Sequence, residues 1–202
     1  MGTLAPSPPA RRFARRPRWP ARPATGIRLT FDDGPHQTHT PAVLDLLAEF
    51  GVTATFFVVG KKVKPNAEVV RRIHADGHKV GNHTFHHPPP SWFNFAAAAR
   101  EVRDCQRAVT DVTGTAPTLF RPPMGRWTPP LWAARSLAGL TPMGWTLDSG
   151  DWRVRSDADA DECAAELLAA VRPGDVILLH DYHPWIGRIL RRVLPALANS
   201  GT

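Results

Sequence analysis

Short β-rich runs alternate with helical patterns along most of this chain, and that alternation constrains its fold more than any other feature. The runs Ile27–Phe31, Thr53–Val59, His78–Asn82, Thr118–Phe120, Met143–Leu147 and Asp175–His180 read as six strands. Between and after them, Thr40–Phe50, Asn66–Asp76, Asn94–Val112, Pro130–Leu140, Asp159–Val171 and Trp185–Ala198 read as helices from their apolar spacing. Gly77 and Gly114 stand where the second and third helices should stop. This order implies parallel strands joined by right-handed helical crossovers. The expected class is α/β, as an open doubly wound sheet or a barrel.

The 202 residues suffice for one domain with a real core, and the net charge of +7 is not spread over it. Residues 1–22 hold six arginines (Arg11, Arg12, Arg15, Arg16, Arg18 and Arg22) and no acid, which leaves nineteen basic against eighteen acidic groups in the remainder. Residues 1–26 are therefore expected to form a basic, proline-rich flexible arm, and residues 27–202 a nearly neutral domain. Nucleic acid is disfavoured as a partner of the whole chain; an anionic polymer would meet only the arm. No apolar run approaches the ~20 residues of a membrane span. Pro17, Pro20 and Pro23 interrupt the stretch where a secretory signal would need its apolar segment, so no signal peptide is expected in this chain. Cys105 and Cys163 lack a C-x-x-C spacing, which excludes a cysteine-rich metal site and leaves room for at most one bridge.

The polar residues cluster in a pattern that turn-making alone does not explain. Asp32-Asp33 follows the first expected strand, His83 and His87 the third, Arg121 the fourth, and Asp148 and Asp151 the fifth, while His180-Asp181 closes the sixth. All lie at carboxyl ends, the face where barrels and parallel sheets place ligands and catalytic groups. Alone, an Asp-Gly-Pro sequence is an ordinary turn and a His-rich loop an ordinary surface feature. Together they suit chemistry. Two adjacent carboxylates tolerate one another when a cation neutralises one of them, so Asp33 is expected as a metal ligand and Asp32 as a general base. His83 and His87 are four apart, but no Glu lies between them and Pro88 disfavours a helix, so a loop must bring both to one ion.

One Asp and two His leave coordination positions open for water and substrate, a set suited to Zn2+, with Co2+ or another divalent ion as alternatives. His86 is expected to stand aside. Arg121 is expected to keep Asp32 ionised. His180 is placed to protonate a leaving group, with Asp148 orienting it. A backbone N–H at Met124 would stabilise an oxyanion. Trp152 is the candidate for stacking on a sugar ring, whereas Trp145 reads as packing. The assembled chemistry is metal-assisted hydrolysis.

At these residues the chain resembles the NodB-homology polysaccharide deacetylases, carbohydrate esterase family four. Thr30–Pro35 is similar to the family's T-F-D-D-G-P, His83–His87 to its H-[ST]-x-x-H, Arg121–Pro123 to its R-x-P, Asp148–Trp152 to its D-x-x-D-W and Leu178–His180 to its L-x-H. The resemblance implies a distorted, incomplete (β/α) barrel and metal-dependent deacetylation of an N-acetylhexosamine polysaccharide, such as peptidoglycan or a chitin-like chain. It further implies that Leu178 lines the pocket for the acetyl methyl and that the enzyme works outside the cytoplasm or in the cell envelope. The chain departs from the pattern at Met124, where the family often has Tyr. It also stops at Thr202, where the family usually adds a strand after its last helix, so an open or differently covered barrel edge is expected. The competing expectations are an O-acetyl esterase of xylan type on the same fold and a glycan-binding module without turnover. The presence of every metal and acid–base residue argues against the latter.

Overall fold

The structure, a computed structural model, describes residues 26–198. The basic arm expected over residues 1–26 therefore lies, apart from Gly26, outside the described residues. The first half of the domain runs β1 (Arg28–Asp32), α1 (His39–Glu49), β2 (Ala54–Val58), α2 (Gly60–Val63), α3 (Ala67–Ala75) and β3 (Lys79–Asn82). The second half runs α4 (Phe95–Thr113), β4 (Leu119–Phe120), α5 (Pro129–Leu137), β5 (Thr141–Pro142), β6 (Leu147–Asp148), α6 (Asp157–Ala170), β7 (Val176–His180) and α7 (Ile186–Ala198). Each expected helix is present to within three residues at either end, and the short α2 is an addition. In α4 the side chain of Asn94 accepts from Ala97 N at the start, and Gly114 at φ 71° ends the helix in the left-handed conformation that glycine adopts freely. Its buried residues Ala98, Val102, Cys105 and Val109 recur at helical spacing.

The strands form one parallel sheet in the order β5-β4-β3-β2-β1-β7-β6. This order puts β5 and β6 at opposite edges, although only residues 143–146 separate them in sequence. Laid flat, six inter-strand spacings of ~4.8 Å would hold the edges ~29 Å apart. Five residue steps span at most ~18 Å. The sheet must therefore curl until its edges nearly meet, which produces a half-barrel whose seam is bridged by residues 143–146. The single strand expected over Met143–Leu147 is corrected accordingly into two short ones. The carbonyls of Met143 and Gly144 are taken by the Arg121 guanidinium, at 3.0 and 2.7 Å, and are lost to any strand ladder.

The pleat sorts residues to two faces. Leu29, Phe31, Ile177 and Leu179 join the large apolar core beneath the helices, while Leu178 packs with Phe57, Met143, Trp145 and Val176 in a smaller cluster. A third cluster of Phe93, Val102, Phe120 and Leu131 lies under α4 and α5. Cys105 and Cys163 are both buried, and no disulfide joins them. Among the described residues no helix is long and apolar enough to cross a membrane.

Candidate active site

β1 and β7 are adjacent, and their register sets Asp32 directly beside His180. Around this pair the carboxyl ends of the strands build two clusters. On the β3 and β4 side, Arg121 is fully buried. Its Nη1 donates to Asp32 Oδ1 at 2.7 Å and to Thr30 Oγ1 at 2.9 Å, while Nε and Nη2 hold the two seam carbonyls. The guanidinium lies 4.2 Å from the centre of the Phe57 ring. Gly81 makes room for that ring, because a Cβ there would stand 2.5 Å from it.

Asp33 Oδ1 lies 3.4 Å from His83 Nε2 and 3.2 Å from His87 Nε2. The candidate ligand atoms of these three residues all fall within 4.8 Å of one another. His83 Nδ1 is 2.7 Å from the carbonyl of Arg121. A carbonyl only accepts, so Nδ1 carries a ring hydrogen and Nε2 faces Asp33, its lone pair open to a cation whenever the ring is neutral. The donors and their tautomer thus fit a divalent cation. Among the described residues the non-glycine residues at positive φ are Asp33, Thr84, His87 and Met124, all on the loops of this rim. Such backbone costs roughly 1–3 kcal/mol per residue and persists where the surroundings enforce it. Lys62 Nζ does so at Asp33, donating to its carbonyl at 2.7 Å, and Thr84 Oγ1 accepts from His87 N. Burial would push the Asp33 carboxyl up, but the hydrogen bond and charge of His83, reinforced by His87 and His180, hold it well below the usual carboxylate range. His86 turns away to Glu101, at 2.7 Å, and stays outside the cluster as expected.

On the β6 and β7 side, the partner of His180 is Asp151. Asp151 Oδ1 lies 2.8 Å from His180 Nδ1, and its Oδ2 accepts from His180 N at 2.7 Å. The expectation that Asp148 orients His180 is corrected by this geometry. Asp148 Oδ1 accepts instead from Gly150 N at 3.0 Å, closing a local turn in which Gly150 takes φ 65° and carries the chain on to Asp151. Burial opposes charge on His180, yet Asp151, with Asp32 and Asp33 beyond, raises its pKa to about 9. Asp151 is buried too, but the charge and hydrogen bond of His180, with the hydrogen bond of His183, keep it well below the usual range. Burial raises the Asp148 carboxyl. Next along the chain, buried Asp181 accepts from Thr40 Oγ1 at 2.6 Å and is pushed up to about 6 by desolvation.

Nine of the ten site residues expected from sequence line one cavity of about 490 Å³: Asp32, Asp33, His83, His87, Met124, Asp148, Trp152, Leu178 and His180; Arg121 stands behind its wall. Trp145, expected only to pack, and Tyr182 also line it. Gly125 allows the Trp145 ring in, since a Cβ there would lie 2.2 Å from it. Trp152 is 42% exposed at the mouth and Met124 54% exposed, whereas Leu178 is buried at the floor. The roles of Asp151 and His183 were missed. The D-S-G-D sequence held a signal for the first: an Asp two residues before a Gly favours a local turn, which frees the second Asp for another partner.

A sequence model of polysaccharide deacetylases matches residues 21–143. The chain belongs to the polysaccharide deacetylase family. It is 42% identical over 159 residues to a chitooligosaccharide deacetylase of Bradyrhizobium sp. (strain ANU 289), covering 78% of this chain and 71% of that relative. Its fold matches the solved peptidoglycan deacetylase PdaC from Bacillus subtilis with a TM-score of 0.79 and 30% identity over 88% of this chain and 85% of that one. A family 4 acetyl xylan esterase from Clostridium thermocellum, solved in complex with a cobalt ion, superposes with a TM-score of 0.78 and 32% identity over 87% and 84% of the two chains. The polysaccharide deacetylase resemblance and the incomplete barrel expected from sequence are both upheld.

Proposed function

We propose that the chain removes acetyl groups from an N-acetylhexosamine polysaccharide, with a divalent cation as cofactor. The observation that carries this reading is the convergence, in one cavity, of the Asp33–His83–His87 cluster with the Asp32 and His180 pair. Asp33, His83 and His87 would hold the ion, Zn2+ in the first instance with Co2+ suited to the same donors. When bound, the ion would polarise the acetyl carbonyl and acidify a water molecule. Asp32, fixed by Arg121, accepts the water proton as the oxygen adds to the carbonyl carbon. The charge gathering on the carbonyl oxygen meets the backbone N–H of Met124. His180, tied through Nδ1 to Asp151, donates from Nε2 to the sugar nitrogen as the C–N bond breaks, leaving acetate and a free amine. Leu178 and Trp145 bound the acetyl methyl, and Trp152 offers a stacking face to the sugar ring at the mouth.

The test is acetate release from peptidoglycan, chitooligosaccharides and acetylxylan by the purified protein. Release from the first or second is expected, with loss on chelation, recovery on adding Zn2+ or Co2+, and loss of at least ~100-fold in D32N. Release from acetylxylan alone would move the activity to O-acetyl esters. Release that survives both chelation and D32N would defeat the mechanism.

A further inference from the structure

Asp151 carries more than His180. His183, on the turn between β7 and α7, sets its Nε2 3.1 Å from Asp151 Oδ2. That buried carboxylate therefore has three N–H partners: the backbone and ring of His180 and the ring of His183. His183 is itself buried, and its Nδ1 meets no hydrogen-bonding atom among the described residues. A hydrogen on Nδ1 would be buried without an acceptor, so the tautomer that fits bears its hydrogen on Nε2 and donates it to Asp151. The ring has little freedom to turn away. It stands edge-on to Tyr182, centroids 5.8 Å apart, and 6.4 Å from Trp185, while Tyr182 packs edge-on to His180 at 5.6 Å.

We infer that His183 is a positioning residue for the proton donor: by holding Oδ2 it fixes the plane of the Asp151 carboxylate, so that Oδ1 points at His180 Nδ1 and the imidazole presents Nε2 to the cavity. A carboxylate with both oxygens engaged cannot swing to a second orientation. The donor then starts each turnover aligned with the leaving nitrogen. No bond of His183 forms or breaks, and the proton passes only from His180 to the leaving group. The reading rests on the proposed deacetylation for its substrate, and its consequence is specific to leaving groups that need a proton.

The experiment compares wild type, H183F and H183Q on the N-acetylglucosamine tetramer and on para-nitrophenyl acetate, whose phenolate departs unprotonated. In H183F the kcat for acetate release from the tetramer is expected to fall roughly tenfold or more, a share of the ~10²–10⁴ that a general acid supplies. KM is expected to stay within about twofold, and aryl acetate hydrolysis within about threefold, of wild type. H183Q, whose amide nitrogen can reach the position of Nε2, should recover most of the lost rate. A parallel loss on both substrates, or no loss on either, would overturn the inference. Should H183F fail to fold, H183N, which draws the donor back, takes its place. If wild type releases no acetate from the tetramer, the deacetylation reading fails instead. The His183 inference is then decided by the His180 Nδ1–H proton resonance, which must move between wild type and the variant.

Discussion

The two sides of the cavity each bury a carboxylate, but they neutralise it differently. Asp32 is paired with Arg121, a cation that does not titrate and whose four bonds anchor it to β1 and to the seam. Asp151 is paired with His180, which can gain or lose a proton, and accepts a further hydrogen bond from the ring of His183. The first side is a fixed electrostatic frame around the proposed base, and in the proposed mechanism the second changes charge during turnover. A buried ion pair costs desolvation wherever it forms; what differs is whether the cation is permanent.

Removing the permanent cation should have the largest effect. R121M leaves Asp32 buried without its partner and strips two carbonyls of their donor, so a loss of roughly 3–5 kcal/mol of stability is expected, read by thermal or denaturant unfolding. R121K, with three donors against four acceptors, should fall between it and wild type. A variant R121M that melts with wild type would erase the distinction between the sides. On the titratable side D151N should fold yet lose about 10²–10⁴ in kcat for acetate release, as a general acid is misaligned. Zn2+ affinity, measured by calorimetry, should be unchanged. In the proposed mechanism His180 acts in its protonated form, so wild-type activity should decline as pH rises through about 9, and in D151N that limb should move to lower pH as the supporting charge is removed.

Asp181 gives a smaller effect, on stability alone. Its folded pKa of about 6 lies above the ordinary 3.8, so the fold favours the protonated form. The associated stability is fully present below 3.8 and lost as pH rises through about 6. D181N should therefore be the more stable protein at about pH 8, by on the order of 2–3 kcal/mol, with the difference vanishing below about pH 4. The smallest effect is expected from D148N. Its carboxylate closes a local turn, so a decrease of less than about tenfold in kcat should separate it from D151N. Equal losses in the two variants would return the orienting role to Asp148.

What could be read from sequence follows the range of the interactions involved. Periodicity and caps are local, and the helices stand close to where residue spacing places them. The strand-end clusters were legible because parallel topology turns sequence position into spatial position: Asp32 and His180 are 148 residues apart in sequence and neighbours in register. The exchange of Asp148 for Asp151 was not legible as a contact, since it depends on which of two nearby carboxylates a tight turn satisfies first. The split of the expected Met143–Leu147 strand was hidden for a different reason. Apolar composition there suits a strand, but the carbonyls of Met143 and Gly144 are taken by a side chain from another part of the chain. His183 carried no signal of its own, because only the fold brings it to the far oxygen of Asp151.

Residues 143–146 close the barrel, and the guanidinium that holds their first two carbonyls also holds Asp32, the proposed base. Closure and catalysis thus share one clasp. A strain that parts the seam need not reach the active site through a chain of intermediates, because it pulls directly on the side chain that sets Asp32. Turnover becomes a gauge of how tightly the barrel is shut: insertions that lengthen this short bridge should slow the enzyme before they unfold it.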